Sequence, residues 1–172
     1  RKPWTGCFAV GYDGQNVPEE AGGWPTMAPS EIAFGGLRTP RALSVDEIHG
    51  LVGAFAVAAG RAGAAGFQAI QIYAAHGYLI SQFLDPLSNE RDDEYGGDLT
   101  GRSRFLVEVV DAVRGAVPEG VPVLVRISAT DWAAGRWDLD QTIALSKVLK
   151  EHGVDVMHVS TGGIISGVSI PV

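Results

Sequence analysis

The chain has 172 residues, which is long enough for one domain with a hydrophobic core. Its formal net charge of −7, from 13 Lys and Arg against 20 Asp and Glu, argues against a nucleic-acid partner or an acidic membrane surface. Cys7 is the only cysteine, so a disulfide within the chain is excluded, and no Cys/His spacing suggests a metal site. No apolar run approaches the ~18 residues of a membrane span and no signal peptide is visible, which together predict a soluble, cytoplasmic protein.

The first part of the chain, residues 1–43, shows no sustained hydrophobic period. Turn signals recur along it, at Gly22-Gly23, Pro25, Pro29, Gly35-Gly36 and Pro40. So long an irregular stretch is uncommon in a compact domain unless it has a function. We therefore interpret it as a long functional loop that precedes the regular elements.

Regular structure is predicted from Ser44 onward. Ser44 and Glu47 have the spacing of a helix-capping box, and apolar residues at helical intervals extend the predicted helix to about Ala62. Gly66 then precedes an apolar run over 67–72, which predicts the first strand.

The remaining residues repeat this alternation of helix and strand. Asp98 is a good N-cap for a second helix, and the apolar run 121–128 predicts the second strand. A third helix is predicted over 139–151 and a third strand over 154–160. We expect the three strands to be adjacent and parallel, because alternating helices and strands favour parallel sheets with right-handed crossovers.

Residues 44–172 therefore predict an α/β architecture, which is either an open doubly wound sheet or a (β/α)8 barrel. No Gly-x-Gly-x-x-Gly follows the first strand, so a dinucleotide-binding Rossmann unit is disfavoured. A barrel usually needs ~250 residues, and three strands cannot close one. The pattern alone thus indicates part of an α/β domain.

Three proton donors, Tyr73, His76 and Tyr78, follow the first predicted strand. Barrels build their active sites at the C-terminal ends of strands, although an exposed loop histidine and a packing tyrosine are alternatives. Arg126 lies inside the apolar second strand, where an unpaired buried cation would be costly. A carboxylate on a neighbouring strand would offset that cost. We expect Tyr73, His76 and Arg126 at the C-terminal edge of the sheet.

Several motifs resemble those of one known family. They are Ala-Ala-His-Gly-Tyr-Leu at 74–79, the run from Gln-Phe-Leu-Asp-Pro to Tyr-Gly-Gly at 82–97, Gly-Arg-Ser-Arg-Phe at 101–105, and the strand-and-loop segments 125–132 and 159–163. In this order they are similar to the signature of the old yellow enzymes, which are flavin-dependent ene-reductases. The resemblance covers essentially the whole chain.

The resemblance implies a fold and an activity. The family has a closed eight-stranded TIM barrel, about twice this length, that binds FMN, so residues 1–172 would form a partial barrel with about strands four to six. The whole protein would pass hydride from NAD(P)H through FMN to the C=C bond of a small α,β-unsaturated carbonyl. The chain alone would be an inactive piece of the barrel, and a homo-oligomer is an option for the whole protein.

The resemblance also implies site residues. Tyr78 matches the family's proton donor, His76 matches one group that hydrogen-bonds the substrate carbonyl, and Arg126 matches a residue facing the pyrimidine edge of FMN. Tyr73 stands at the second carbonyl-binding position, which is usually His. A Tyr there resembles the trimethylamine dehydrogenase branch, but that branch also has an acid after the sixth strand, where this chain has Thr161-Gly162-Gly163. Amine oxidation is therefore the weaker alternative.

Two further groups are predicted to be structural. Arg91, Asp93 and the segment 95–97 belong to the motif, and we expect them to hold a long loop through local hydrogen bonds. His158 alternates with apolar residues in the third predicted strand, which favours a structural role.

Overall fold

The computed structural model describes residues 4–7, 11–133 and 135–164. Its first elements are the strands β1 (Trp4–Cys7), β2 (Gly11–Asn16), β3 (Met27–Ala28) and β4 (Arg41–Ala42), with a 3-10 helix, Glu19–Ala21, after β2. β1 pairs with β2 in antiparallel fashion, and β3 pairs with β4 in parallel fashion. The prediction of an irregular segment over 1–43 is corrected to this extent, although residues 1–3 and 8–10 lie outside the described residues. Strands of two to six residues are too short to show a reliable period.

The predicted capping box begins the first helix, α1 (Val45–Ala64). The Glu47 N–H donates to Ser44 Oγ over 3.2 Å, and the Ser44 N–H donates to Glu47 Oε2 over 2.9 Å. The Arg41 guanidinium also hydrogen-bonds the Glu47 carboxylate and holds the pKa of that group well below its usual range. The helix runs two residues beyond the predicted end at Ala62.

A three-stranded parallel sheet forms the centre of the fold and confirms the predicted α/β alternation. Its strands, in spatial order, are β5 (Ile70–Ala74), β6 (Val123–Ser128) and β7 (Val156–Ser160). All three begin later than the predicted strands at 67–72, 121–128 and 154–160, and β5 extends far enough to include Tyr73.

The shift of β5 has a local cause at the end of α1. Gly66 adopts a left-handed φ of 86°, and the Phe67 N–H donates to the Ala62 carbonyl over 3.1 Å. Phe67 therefore closes the helix, and its side chain is 64% exposed. Its apolar character marks the helix end, not the strand.

Three more helices follow: α2 (Leu79–Leu84), α3 (Leu99–Ala116) and α4 (Leu139–Glu151). The predicted N-cap Asp98 accepts a hydrogen bond from the Gly101 N–H over 2.9 Å, and the predicted bounds of α4 are confirmed. α2 was not predicted, because six residues make less than two turns and show little periodicity.

The two faces of the sheet differ. Ile72, Val125 and Ile127 belong to a buried cluster that includes side chains of α1, α3 and α4, such as Phe105 and Leu149. The opposite face carries the more exposed side chains, and along β5 and most of β6 buried positions alternate with partly or fully exposed ones. Tyr73, a predicted catalytic residue, and Arg126, the predicted cofactor-binding residue, lie on this second face. Among the described residues, none of the helices has both the length and the apolar character that crossing a membrane requires.

Candidate active site

Tyr73, Arg126 and His158 lie side by side on the open face of the sheet. The register pairs Tyr73 with Arg126, and Arg126 with His158. The Arg126 guanidinium carbon lies 5.3 Å from the centre of the Tyr73 ring, which is within the range of a cation–π contact. His158 Nδ1 lies 2.9 Å from Gln71 Oε1, so these two side chains meet across β6.

Arg126 has a buried hydrogen-bond donor with no acceptor. Within the described part of the chain, its Nε is buried without a hydrogen-bond partner, and no carboxylate there forms an ion pair with it. The salt bridge considered from the sequence is thus not found among these residues. An unpaired buried N–H costs free energy, so this position is suited to an external acceptor.

His76 lies in the loop after β5, two residues past the end of the strand. Its φ is 57°, a left-handed value that is uncommon for a residue other than glycine. Tyr73 Oη hydrogen-bonds His76 Nδ1, and His76 Nε2 lies 2.6 Å from Ser160 Oγ. Both ring nitrogens of His76 therefore contact hydroxyl groups, so a neutral imidazole would donate at one nitrogen and accept at the other.

Ser128 and Gly162 connect this histidine to the next two strands. The His76 N–H donates to Ser128 Oγ over 3.0 Å, and Ser128 Oγ donates to the Gly162 carbonyl over 2.8 Å. Gly163 has a φ of 106°, and a Cβ atom there would lie 2.4 Å from His76 Cα. This close approach requires glycine. The loop after β5 is thus held against the end of β6 and the loop after β7.

Tyr78 occupies the N-cap position of α2. Its ring is perpendicular to that of Tyr73, with the two centres 5.2 Å apart. Both tyrosines line a groove of about 820 Å³, whose other walls come from residues 24–43, α1, α2 and the loop that follows α2. The structure therefore brings all three predicted donors, Tyr73, His76 and Tyr78, to one place.

The loop between α2 and α3 is held by Arg91. The guanidinium pairs with Asp93, whose pKa it lowers through a hydrogen bond. It also donates to the Pro29 carbonyl over 2.9 Å and to the Leu43 carbonyl over 2.7 Å. The predicted local bonds are present, and the two long-range bonds additionally attach this loop to the segment that walls the groove.

Ser160 and Ser128 were not among the predicted site residues. Each is the last residue of a strand that is otherwise largely apolar, which is a signal that could have been used. No cluster of three or more His, Cys, Asp or Glu side chains converges as a metal site within the described ranges.

The chain is similar in sequence to flavin oxidoreductases. A model of the NADH:flavin oxidoreductase / NADH oxidase family matches residues 7–172. The chain is 44% identical over 176 residues to an NADH:flavin oxidoreductase of Gibberella zeae, covering 94% of this chain and 41% of that protein. It is 47% identical over 140 residues to an NADPH dehydrogenase of Clostridium acetobutylicum, covering 80% of this chain and 41% of that protein. The chain thus spans about two fifths of the length of these relatives.

A solved structure shares the fold of most of this chain. The old yellow enzyme homologue from Zymomonas mobilis superimposes with a TM-score of 0.72 and 33% sequence identity. The match covers 82% of this chain and 43% of that one.

Proposed function

Because the chain belongs to the NADH:flavin oxidoreductase / NADH oxidase family, we propose that the whole protein transfers hydride from NAD(P)H, by way of FMN, to the C=C bond of a small α,β-unsaturated carbonyl compound. The family and the structural neighbours confirm the resemblance to old yellow enzymes and the prediction of a partial TIM barrel. The observation that carries the proposal is the convergence of Tyr73, His76 and Tyr78 at the C-terminal edge of a parallel sheet, beside Arg126.

The buried Nε–H of Arg126 is the observation that fits FMN. The donor lies on the sheet face that carries Tyr73, and it lacks an acceptor among the described residues. The pyrimidine edge of FMN offers carbonyl and ring-nitrogen acceptors that develop negative charge on reduction, which a fixed guanidinium would stabilise. When bound, FMN supplies the transfer of hydride between the nicotinamide and the alkene. Arg126 is the residue of this chain that would hold it.

The contacts of His76 support a carbonyl-binding role for Tyr73. Ser160 Oγ–H can donate to His76 Nε2, and His76 Nδ1–H can then donate to Tyr73 Oη. The Tyr73 proton is thereby left for the substrate oxygen. Such a donor stabilises the negative charge that develops on an enolate oxygen. His76 acts through Tyr73 in this arrangement, because both of its nitrogens are engaged.

Tyr78 is placed to complete the reduction. Addition of hydride to the β-carbon leaves an electron pair at the α-carbon, and a proton must be delivered there. A phenol carries the required O–H group. Since Tyr78 and Tyr73 line the same groove with their rings 5.2 Å apart, one can bind the oxygen while the other protonates the neighbouring carbon. The groove provides room for the rest of the substrate.

The hydrogen bond between Tyr73 and His76 also supports a second candidate, the oxidation of amines. In that branch of the family an acid follows the sixth strand. Here the corresponding strand ends at Ser160, which contacts His76 through a hydroxyl, and Thr161-Gly162-Gly163 follows. A serine hydroxyl cannot neutralise an imidazolium as a carboxylate can, which favours ene-reduction.

Replacing Tyr73 by histidine separates the two chemistries. In the whole protein, Tyr73→His should be tolerated or should raise the turnover of an enone. The substitution introduces a second imidazole and releases His76 Nδ1 from the Tyr73 hydroxyl, so that the usual pair of imidazoles can bind the carbonyl. The measurement is the rate of NAD(P)H consumption with cyclohexenone, alongside anaerobic addition of trimethylamine. Bleaching of the flavin absorbance by trimethylamine in the unaltered protein, with no enone turnover, would support amine oxidation instead.

The role of Ser160 can be tested separately. Ser160→Ala removes the hydroxyl that contacts His76 Nε2 and should lower kcat/KM for an enone by roughly 3- to 10-fold, as expected for the loss of one hydrogen bond. Ser146→Ala removes a hydroxyl that bonds the Thr142 carbonyl within α4, and it serves as the matched control. Equal kinetics in both variants would contradict the relay through His76.

A further inference from the structure

A pair of aspartates is buried beside Ser128, the residue that accepts a hydrogen bond from the His76 N–H. Asp85 caps the C-terminus of α2, and Asp131 lies in the loop after β6. Their side chains belong to residues that are 1% and 2% exposed. Both residues line a cavity of about 10 Å³, together with Ser81, Ser128 and Trp137.

Three of the four carboxylate oxygens lack an ordinary hydrogen-bond donor. Asp85 Oδ1 accepts from the Leu87 N–H over 2.7 Å. Asp85 Oδ2 and both oxygens of Asp131 are buried and have no such donor among the described residues. Two ionised carboxylates in this position would repel each other and would be costly to bury.

The nearby cation does not pair with either aspartate. Arg102 of α3 is buried, and its guanidinium donates to the Leu84 carbonyl, the Gly97 carbonyl and Gln141 Oε1. The charge of Asp85 acts on it from nearby, as do those of Asp98 and Asp138. One guanidinium shared in this way compensates for at most one of the two buried carboxylates. One additional positive charge is needed to neutralise the second buried carboxylate.

A proton meets this need better than a metal ion. The cavity has about the volume of one water-sized sphere, and only two acidic groups reach it. Burial, and then the hydrogen bond with the Asp85 carboxyl, raise the pKa of Asp131 to about 8. A carboxyl that stays protonated at neutral pH can donate to its neighbour.

We propose that Asp85 and Asp131 share one proton in a carboxylic acid–carboxylate hydrogen bond, and that this bond positions the loop carrying His76 and Tyr78 against β6. Tyr78 and Asp85 are the N-cap and C-cap of the same short helix, so fixing one end restrains the other. Ser128, which lines the same cavity, accepts from the His76 N–H. The positioning role rests on the function proposed for Tyr78, whereas the shared proton does not.

The shared proton makes stability fall progressively as pH rises from acidic values to about 8. The pKa of Asp131 is raised in the folded protein above its ordinary value of 3.8, so the folded state holds more protons than the unfolded state between these two values. The resulting stabilisation is present at acidic pH and is lost as pH rises through about 8. Above that pH, two like charges face each other and the loops they join should separate.

The experiment compares the whole protein with Asp131→Asn between pH 6.5 and 9.5. The unaltered protein should lose about 5 °C of Tm over this range, together with roughly 10-fold in kcat for an enone. The amide introduced by Asp131→Asn can donate to Asp85 without titrating, so in this variant both quantities should change much less with pH. Asp92→Asn, at an exposed position, removes one charge elsewhere and should behave like the unaltered protein.

Each outcome decides one part of the proposal. Equal losses of Tm with rising pH in Asp131→Asn and the unaltered protein would overturn the shared proton. A flat Tm with an unchanged pH profile of kcat in Asp131→Asn would overturn the positioning role. The infrared carbonyl band of a buried carboxylic acid, present at pH 6.5 and absent from Asp131→Asn, provides a readout independent of turnover. If the protein reduces no enone at any pH, the proposed function fails while Tm and this band still test the proton.

Discussion

Replacement of Tyr78 by phenylalanine is expected to slow enone reduction by the whole protein roughly 10²–10⁴-fold, which is the range for loss of a general acid. The ring of Tyr78 packs perpendicular to Tyr73, and phenylalanine preserves that packing. Only the proton donor is removed. The rate at which NAD(P)H bleaches the flavin absorbance in the absence of an enone should stay nearly unchanged, because that step needs no proton at the substrate carbon.

The matched control for this substitution is Tyr95→Phe. The Tyr95 hydroxyl donates to Glu108 on α3 over 2.9 Å, away from the groove, so its loss should affect stability and leave enone turnover within about 2-fold of the parent. If Tyr78→Phe reduces enones at the parent rate while trimethylamine reduces the flavin, the ene-reductase proposal fails and amine oxidation replaces it.

Arg126→Ala should weaken FMN retention by roughly 10- to 100-fold, which corresponds to the ~1.5–3 kcal/mol of a hydrogen bond to a charged group. The physical reason is the buried Nε–H, which has no acceptor among the described residues and is therefore available to a ligand. The measurement is the FMN content per polypeptide after gel filtration, followed by the Kd from quenching of flavin fluorescence. Neither readout depends on activity.

Two further variants sharpen this test. Arg126→Lys keeps the positive charge but loses the planar donor fork, so it should retain FMN better than alanine and less well than arginine. Arg61→Ala removes an exposed arginine of α1 and should leave retention unchanged. Normal FMN content in Arg126→Ala, combined with a lowered Tm of the FMN-free protein, would show that Arg126 is structural.

The regular core of the fold could be predicted from the sequence, because its elements are long and their signals are local. The capping box at Ser44, the N-cap at Asp98 and the helical period over 139–151 each depend on residues within a few positions of one another. The end of α1 was less predictable. Phe67 is apolar, yet it closes the helix and is exposed. Only the left-handed turn at Gly66 distinguishes an apolar residue that closes a helix from one that begins a strand.

The short elements could not be predicted for a related reason. β3 and β4 have two residues each and are paired with one another across the segment between them. Such strands are stabilised by their partner and not by their own sequence pattern. The same holds for α2, whose Phe83 and Leu84 are buried in the common core.

The sequence by itself determined most of the chemical groups at the candidate site, but not the Ser128 and Ser160 hydroxyls. Tyr73, His76 and Tyr78 lie within six positions, and Arg126 interrupts an apolar strand, so these candidates were visible without a structure. Their motifs also indicated the family that the comparisons confirm.

Only the tertiary structure decided which groups of the candidate site contact one another. The contact of His76 with Ser160 joins residues 84 positions apart, and its bond to Ser128 spans 52. Asp85 and Asp131 likewise come from separate elements that meet at one cavity. Such pairings follow from the strand order β5-β6-β7, which brings the carboxyl ends of the strands to one edge. The free energy that stabilises these long-range contacts comes from packing of the whole core, so they cannot be predicted from any local pattern in the sequence.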